Sequence, residues 1–287
     1  MIRAPIRSAN RTIRRLAAPA VLAAGLAAGA PFATLPAHAA GDAVAPKEVA
    51  WTFNGVFGRY NYEQLRRGLQ VYREVCAACH GLRLVAYRDL AAIGLSEAQI
   101  RAIAGEKEVA GEPDEEGEPT TRPAEAKDRF VDPFPNVQAA MASNNGAAPP
   151  DLSLMVKARG GGADYVFSLM TGYVSEAACK KEFKDSQGKP LVPAEGQYCN
   201  TYMPGHIIAM APPITEDGQV EYEEKGAPAA SVDQMAKDVT AFLAWAAEPY
   251  MVERKRMGIK VMLFLLLFTG FMYAIYRQVK KDVKGQA

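Results

Sequence analysis

Val75-Cys-Ala-Ala-Cys-His-Gly81 places two cysteines three residues apart, with a histidine directly behind the second. The chain holds only four cysteines and three histidines in 287 residues, yet three of those seven crowd into five consecutive positions. Upstream, Leu65, Leu69, Tyr72, Cys76 and Cys79 recur at intervals of four, three, four and three, the spacing of one α-helical face. Asn61, with Gln64 three residues on, reads as the capping box that starts this helix. The stretch therefore predicts a helix that presents two thiols side by side and delivers an imidazole next to them.

What such a group does depends on the compartment. Residues 1–15 carry five arginines and no acid, an alanine-rich apolar run follows, and Ala-His-Ala-Ala closes the segment near Ala39. Basic head, apolar middle and small residues at a cleavage point predict a secretory signal over residues 1–39. Pro19 and Pro31 interrupt the run, which disfavours a first membrane helix. A second apolar run, uncharged from Val261 to Tyr276 over 16 residues, extends through Met257 and Lys260 to 20, about the ~20 residues a helix needs to cross the hydrocarbon core. Basic residues flank it on both sides, so local charge does not set its orientation. The export signal does. It places residues 40–252 outside the membrane, a helix over 257–276 across it, and residues 277–287 in the cytoplasm.

In an oxidising compartment, paired thiols can add across the two vinyl groups of a haem, and His80 is then placed to ligate its iron. A redox dithiol would want a thioredoxin-like βαβ setting, and a zinc site would want a second pair of ligands; neither is present. One covalent haem c bound by Cys76 and Cys79, with His80 on the iron, is the reading that remains. For the opposite face, Tyr202-Met-Pro-Gly-His-Ile-Ile-Ala-Met-Ala-Pro-Pro213 offers Met210, His206 and Met203. Met210 is favoured because it stands between an apolar Ile-Ile-Ala and a stiff Ala-Pro-Pro. A thioether raises the potential of the iron and a second imidazole lowers it. Cys179 and Cys199 stand apart in the sequence and predict a disulfide.

Helices are expected from Ser96 to Gly105, from Asp164 to Met170 with Gly172 as the stop, and from Ser231 to Ala247 before Pro249, with Ser96–Gln99 and Ser231–Gln234 as further capping boxes. Residues 105–125 are rich in acid, proline and glycine, and read as an exposed loop or a partly disordered insertion. Little strand alternation appears, so the chain reads as mostly helical with long irregular loops. Between residues 40 and 252 there are 20 basic and 30 acidic residues. That field disfavours nucleic acid and suits a basic protein partner.

Several strings together resemble the cytochrome c1 family, the haem subunits of the cytochrome bc1 complex. They are Val75-Cys-Ala-Ala-Cys-His80, Val85-Ala-Tyr-Arg-Asp-Leu90, Asn144-Asn-Gly-Ala-Ala-Pro-Pro-Asp-Leu-Ser153, Asp164 to Tyr173, Gly205 to Pro213, and Phe242-Leu-Ala-Trp-Ala-Ala-Glu-Pro249 running into Arg254-Lys-Arg-Met-Gly258. The export signal and the second cysteine pair give it a proteobacterial look. The resemblance implies a mostly α, class I cytochrome c fold with long loops and one C-terminal transmembrane helix. By the same token it implies a single-pass protein of the bacterial inner membrane with its haem domain on the periplasmic side.

As a bc1 subunit it would take electrons from the Rieske iron-sulfur protein, beside cytochrome b, and pass them to a soluble or membrane-bound cytochrome c, with no catalysis alone. His80 and Met210 would be the axial ligands, Arg159 would pair with a haem propionate, and Pro149 and Pro150 would line the pocket. The Cys179 and Cys199 pair and the acidic insertion fall outside the general family pattern. A stand-alone membrane-tethered cytochrome is the alternative, and a haem enzyme or gas sensor with an open sixth position ranks behind it.

Overall fold

A computed structural model of the chain describes residues 44–285; the expected signal segment lies outside the described residues. The core is built around two helices, α1 (Tyr62–Glu74) and, from later in the chain, α7 (Val232–Ala247). Between them run the short helices α2 (Glu97–Gly105), α3 (Val137–Ser143), α4 (Met155–Ala158), α5 (Gly162–Met170) and α6 (Glu176–Glu182). A hairpin of β1 (Glu108–Ala110) and β2 (Thr121–Pro123) stands apart from a small antiparallel sheet of β3 (Tyr173–Val174), β4 (Tyr198–Asn200) and β5 (Ile207–Ile208). The mostly helical class expected from the sequence is what forms.

α1 packs along α7, burying Leu65, Leu69 and Tyr72 against Met235, Val239, Phe242 and Trp245. The crossing is tight at Gly68, where a Cβ would stand 2.1 Å from the Asp238 carbonyl oxygen. Only a residue without a side chain allows the backbones this close. Asn61 caps α1 through the Gln64 N–H, and Ser231 caps α7 through the Gln234 N–H, as expected. Neither glutamine returns its side chain to the cap. Both donate to Oδ1 of Asp238, at 3.0 and 2.7 Å, where the Arg67 guanidinium and the Tyr222 hydroxyl also converge. Asp238 is fully buried, so these donors replace the water its charge would otherwise hold.

The acidic stretch is a hairpin rather than a structureless loop. Glu108 pairs with Pro123 and Ala110 with Thr121. Its turn is closed by Asp114, whose Oδ1 accepts the N–H groups of Glu116 and Glu118, and by Gly117 at φ 84°. Aspartate followed by a left-handed glycine is turn chemistry, and here most of the acids sit in the connection while Glu108 alone stands in the ladder. Arg122 fastens the base of the hairpin to Asp128 at 2.7 and 3.0 Å.

After Pro249 the chain enters α8 (Met251–Gly285), 35 residues long. It is longer than the apolar run of 257–276, since the basic flanks are helical too. At 1.5 Å per residue it reaches about 52 Å, well past a ~30 Å hydrocarbon core. Leu263, Phe264, Leu266 and Leu267 are all exposed along it, and it is the one described helix long and apolar enough to cross a membrane.

Candidate haem site

The apolar stripe that predicts one continuous helix through Cys79 is correct in its facing and wrong in its geometry. α1 stops at Glu74, and Cys76–Ala78 form a 3-10 turn. The N–H groups of Cys79 and His80 both donate to the Cys76 carbonyl, at 3.1 and 2.9 Å. With three residues per turn, positions i and i+3 eclipse. Cys76 and Cys79 thus open and close one turn, and His80 leaves it just behind them. The two cysteines form no disulfide. Burial, and next the neighbouring Cys79, pushes the Cys76 thiol up to about 12, so it is held neutral in an apolar wall.

A second segment grips this turn from the side. His80 Nδ1 lies 2.7 Å from the Pro150 carbonyl, and the Leu152 N–H donates to the Gly81 carbonyl at 2.9 Å. Asp151 accepts the Arg83 N–H, and the Ser153 hydroxyl accepts the Leu84 N–H. From inside the core, the Tyr72 hydroxyl donates to the His80 carbonyl at 3.0 Å. A carbonyl can only accept, so Nδ1 carries the proton and Nε2 keeps its lone pair. Burial lowers the pKa of His80, and this outweighs the opposing effects of the Pro150 bond and of Asp151. The imidazole is neutral and its rotation is fixed through Nδ1, which is what a metal ligand requires.

The three candidates for the opposite face differ in their engagement. His206 is buried at φ 60°, stacked on Phe183 at 3.9 Å, with Nδ1 3.0 Å from the Thr201 carbonyl. The Met203 sulfur accepts the Tyr165 hydroxyl at 3.8 Å. At Met210 only the backbone is bound: its carbonyl accepts the Tyr173 hydroxyl at 3.0 Å, and its half-buried side chain makes no hydrogen bond among the described residues. Cys179 and Cys199 form the expected disulfide, with Cα atoms 6.1 Å apart. Cys199 is also in β4, paired with Ile207 of β5, three residues before Met210. Arg159 follows α4, exposed, and its guanidinium meets no carboxylate among the described residues.

A model of the cytochrome c1 family matches residues 51–283. Cytochrome c1 of Rhodospirillum rubrum is 46% identical over 239 residues, covering 82% of this chain and 87% of the relative. The mitochondrial cytochrome c1 heme protein of Saccharomyces cerevisiae is 48% identical over 216 residues, covering 75% and 66%. A protein of Bradyrhizobium diazoefficiens named cytochrome b/c1 is 43% identical over 243 residues, covering 81% of this chain and 35% of the relative. The chain belongs to the cytochrome c1 family.

Membership carries covalently bound haem c, electron transport and a place in a cytochrome bc1 complex. The residues present fit that group: two free thiols on one turn, an imidazole with a free Nε2, and an arginine that meets no carboxylate among the described residues. Asp151, Ser153, Tyr72 and Tyr173 hold the backbone around the candidate residues, a part the sequence does not assign to them. The apolar stripe through Tyr72 and the turn formers of Pro-Pro-Asp-Leu-Ser153 are the signals that point toward them.

Proposed function

We propose that Cys76 and Cys79 hold haem c through thioethers, that His80 Nε2 and Met210 Sδ are its axial ligands, and that Arg159 pairs with a propionate. Bound haem c supplies a one-electron iron couple. The protein's own contribution is to hold that couple still. Pro150 fixes the tautomer and rotation of His80, and Tyr72 holds its backbone. Tyr173 anchors the Met210 backbone, leaving a soft thioether to favour the reduced iron. A guanidinium can hold a partly buried carboxylate bidentately, which is the role assigned to Arg159, with Pro149 and Pro150 lining the pocket. Two ligands fixed in this way leave little to reorganise when the charge changes.

In this reading the export signal of residues 1–39 is removed, residues 40–252 stand on the periplasmic side of a bacterial inner membrane, and residues 277–287 lie in the cytoplasm. Electrons arrive from the Rieske iron-sulfur protein and leave to a cytochrome c, with cytochrome b alongside. The Bradyrhizobium relative, whose name joins b and c1, supports that neighbour. The excess of acids in residues 40–252 suits a basic acceptor through steering of the encounter. The observation that carries the proposal is the His80 ring, neutral and locked to Pro150.

Spectra of the ferrous protein with and without carbon monoxide test it. A low-spin haem that ignores carbon monoxide is expected, and ready binding overturns the proposed ligand pair. Purification in mild detergent with cytochrome b supports the complex, whereas lone migration supports a tethered cytochrome.

A further inference from the structure

Phe57 is the most exposed large apolar side chain among the described residues, 81% accessible, with Val56 beside it at 63%. They stand at the tip of a built loop. The Asn54 N–H donates to the Trp51 carbonyl at 3.1 Å and the Arg59 N–H to the Thr52 carbonyl at 2.9 Å, while Gly55 turns the chain at φ 73°. At the base of the loop Phe53 is buried and stacked on Trp51, with centroids 5.3 Å apart. One phenylalanine is therefore taken into the core and the other is held out.

The loop is fastened to the membrane helix. Lys255 Nζ donates to the Phe53 carbonyl at 2.6 Å and to the Gly58 carbonyl at 3.4 Å. Lys255 stands two residues before Met257, where the apolar run of α8 opens. Tyr250, 74% accessible, lies just before α8 begins. Arg59, Arg256 and Lys260 are exposed nearby in the chain and form no ion pair among the described residues.

The geometry points to a second membrane contact: Val56, Phe57 and Tyr250 enter the headgroup layer of the bilayer that α8 crosses, with Arg256 and Lys260 facing anionic lipid. Aromatic and aliphatic side chains beside cations are the composition of an interfacial anchor. The Lys255 tie holds the loop level with the residues that flank the apolar run, where headgroups lie, and this favours lipid over a protein neighbour. A single helix leaves the haem domain free to swing; a second contact fixes its tilt over the membrane. The inference rests on α8 spanning the bilayer.

Nitroxide labels on Phe57→Cys, in the haem-bearing full chain reconstituted into vesicles of phosphatidylethanolamine and phosphatidylglycerol, test this by collision with oxygen against a water-soluble nickel chelate. Severalfold preference for oxygen is expected relative to Glu115→Cys on the exposed hairpin. Equal access of the chelate at both positions overturns the proposal, and so does a label open to chelate in vesicles but shielded from both reagents in the purified complex, which would assign the loop to a protein neighbour. Val56→Cys repeats the reading should Phe57→Cys fail to give a native haem spectrum. A label on Leu266→Cys, at mid-helix, separates the two failures: chelate access there removes the membrane span itself, and the loop contact with it.

Discussion

The imidazole Nδ1 of His80 and the carbonyl oxygen of Pro150 are 2.7 Å apart, and this one bond joins the cysteine-bearing turn to a segment seventy residues further along the chain. It assigns the proton on the ring and so decides which nitrogen is free. Around it, the bonds of Asp151, Leu152 and Ser153 to residues 81–84 make the two segments a single clamp. The proline carbonyl is a useful partner here, since its own residue has no N–H to satisfy and its φ is fixed.

Replacing Met210 with leucine removes the one candidate sulfur that makes no hydrogen bond. The haem midpoint should fall by on the order of 0.1 V, a fraction of the ~0.8 V that axial ligation commands, and the ferrous protein should begin to bind carbon monoxide. A redox titration with absorption spectra reads both effects. Retention of the native midpoint would move the ligand role to His206 or Met203, against the stacking and bonding those residues show.

Asp238→Ala should destabilise the fold severely. It would strip the buried Arg67 of its 2.8 Å partner and leave Gln64, Gln234 and Tyr222 without their shared acceptor. Breaking a buried pair on one side costs about 3–5 kcal/mol. Urea unfolding followed by circular dichroism measures it, and a loss under about 1 kcal/mol, as for an ordinary surface change, would contradict the account of the α1 and α7 crossing.

How far these features could be read beforehand depends on how local they are. Caps and stops are local, so the helices at Glu97–Gly105 and Val232–Ala247 form where Ser96 and Ser231 indicate. The end of α1 was not legible, because one more turn at a period of 3.0 keeps the same stripe as one at 3.6. Gln64 and Gln234 looked like capping-box residues since nothing near them in the chain announces Asp238. The acidic hairpin was hidden by composition: charge and proline suggested disorder, while Asp114 and Gly117 were quietly specifying a turn. In the candidate haem site, Cys76, Cys79 and His80 lie within five residues, so their spacing is readable. Their grip by Pro150 to Ser153 is a tertiary fact.

The base of that hairpin should loosen in acid. The Arg122 guanidinium, and next the Glu125 N–H, hold the Asp128 carboxyl down at about 2. A carboxylate whose folded pKa lies below its unfolded value of about 4 contributes stability above that value and loses it as pH falls toward the folded one. Hydrogen exchange at Gly111 and Ala124, whose N–H groups donate across the hairpin at 2.8 Å, should therefore speed up between pH 4 and about 2, beyond the intrinsic pH dependence. Asp128→Asn should show the faster exchange already at neutral pH. Equal protection in the variant and the parent would release the hairpin from this pair.

The disulfide should matter to the iron as well as to the fold. Cys199 pairs with Ile207 across β4 and β5, and β5 leads through Ala209 to Met210, whose carbonyl is held by Tyr173 at the start of β3. Cys179, fully buried, ties α6 to this sheet. Replacing both cysteines with alanine removes a loop closure worth roughly 3 kcal/mol, and it frees the strand that delivers the proposed ligand. The expected result is a lower midpoint together with a lower unfolding temperature. If stability falls while the midpoint stays unchanged, the bridge braces the fold alone, and the path from Cys199 through β5 to Met210 carries no strain to the haem site.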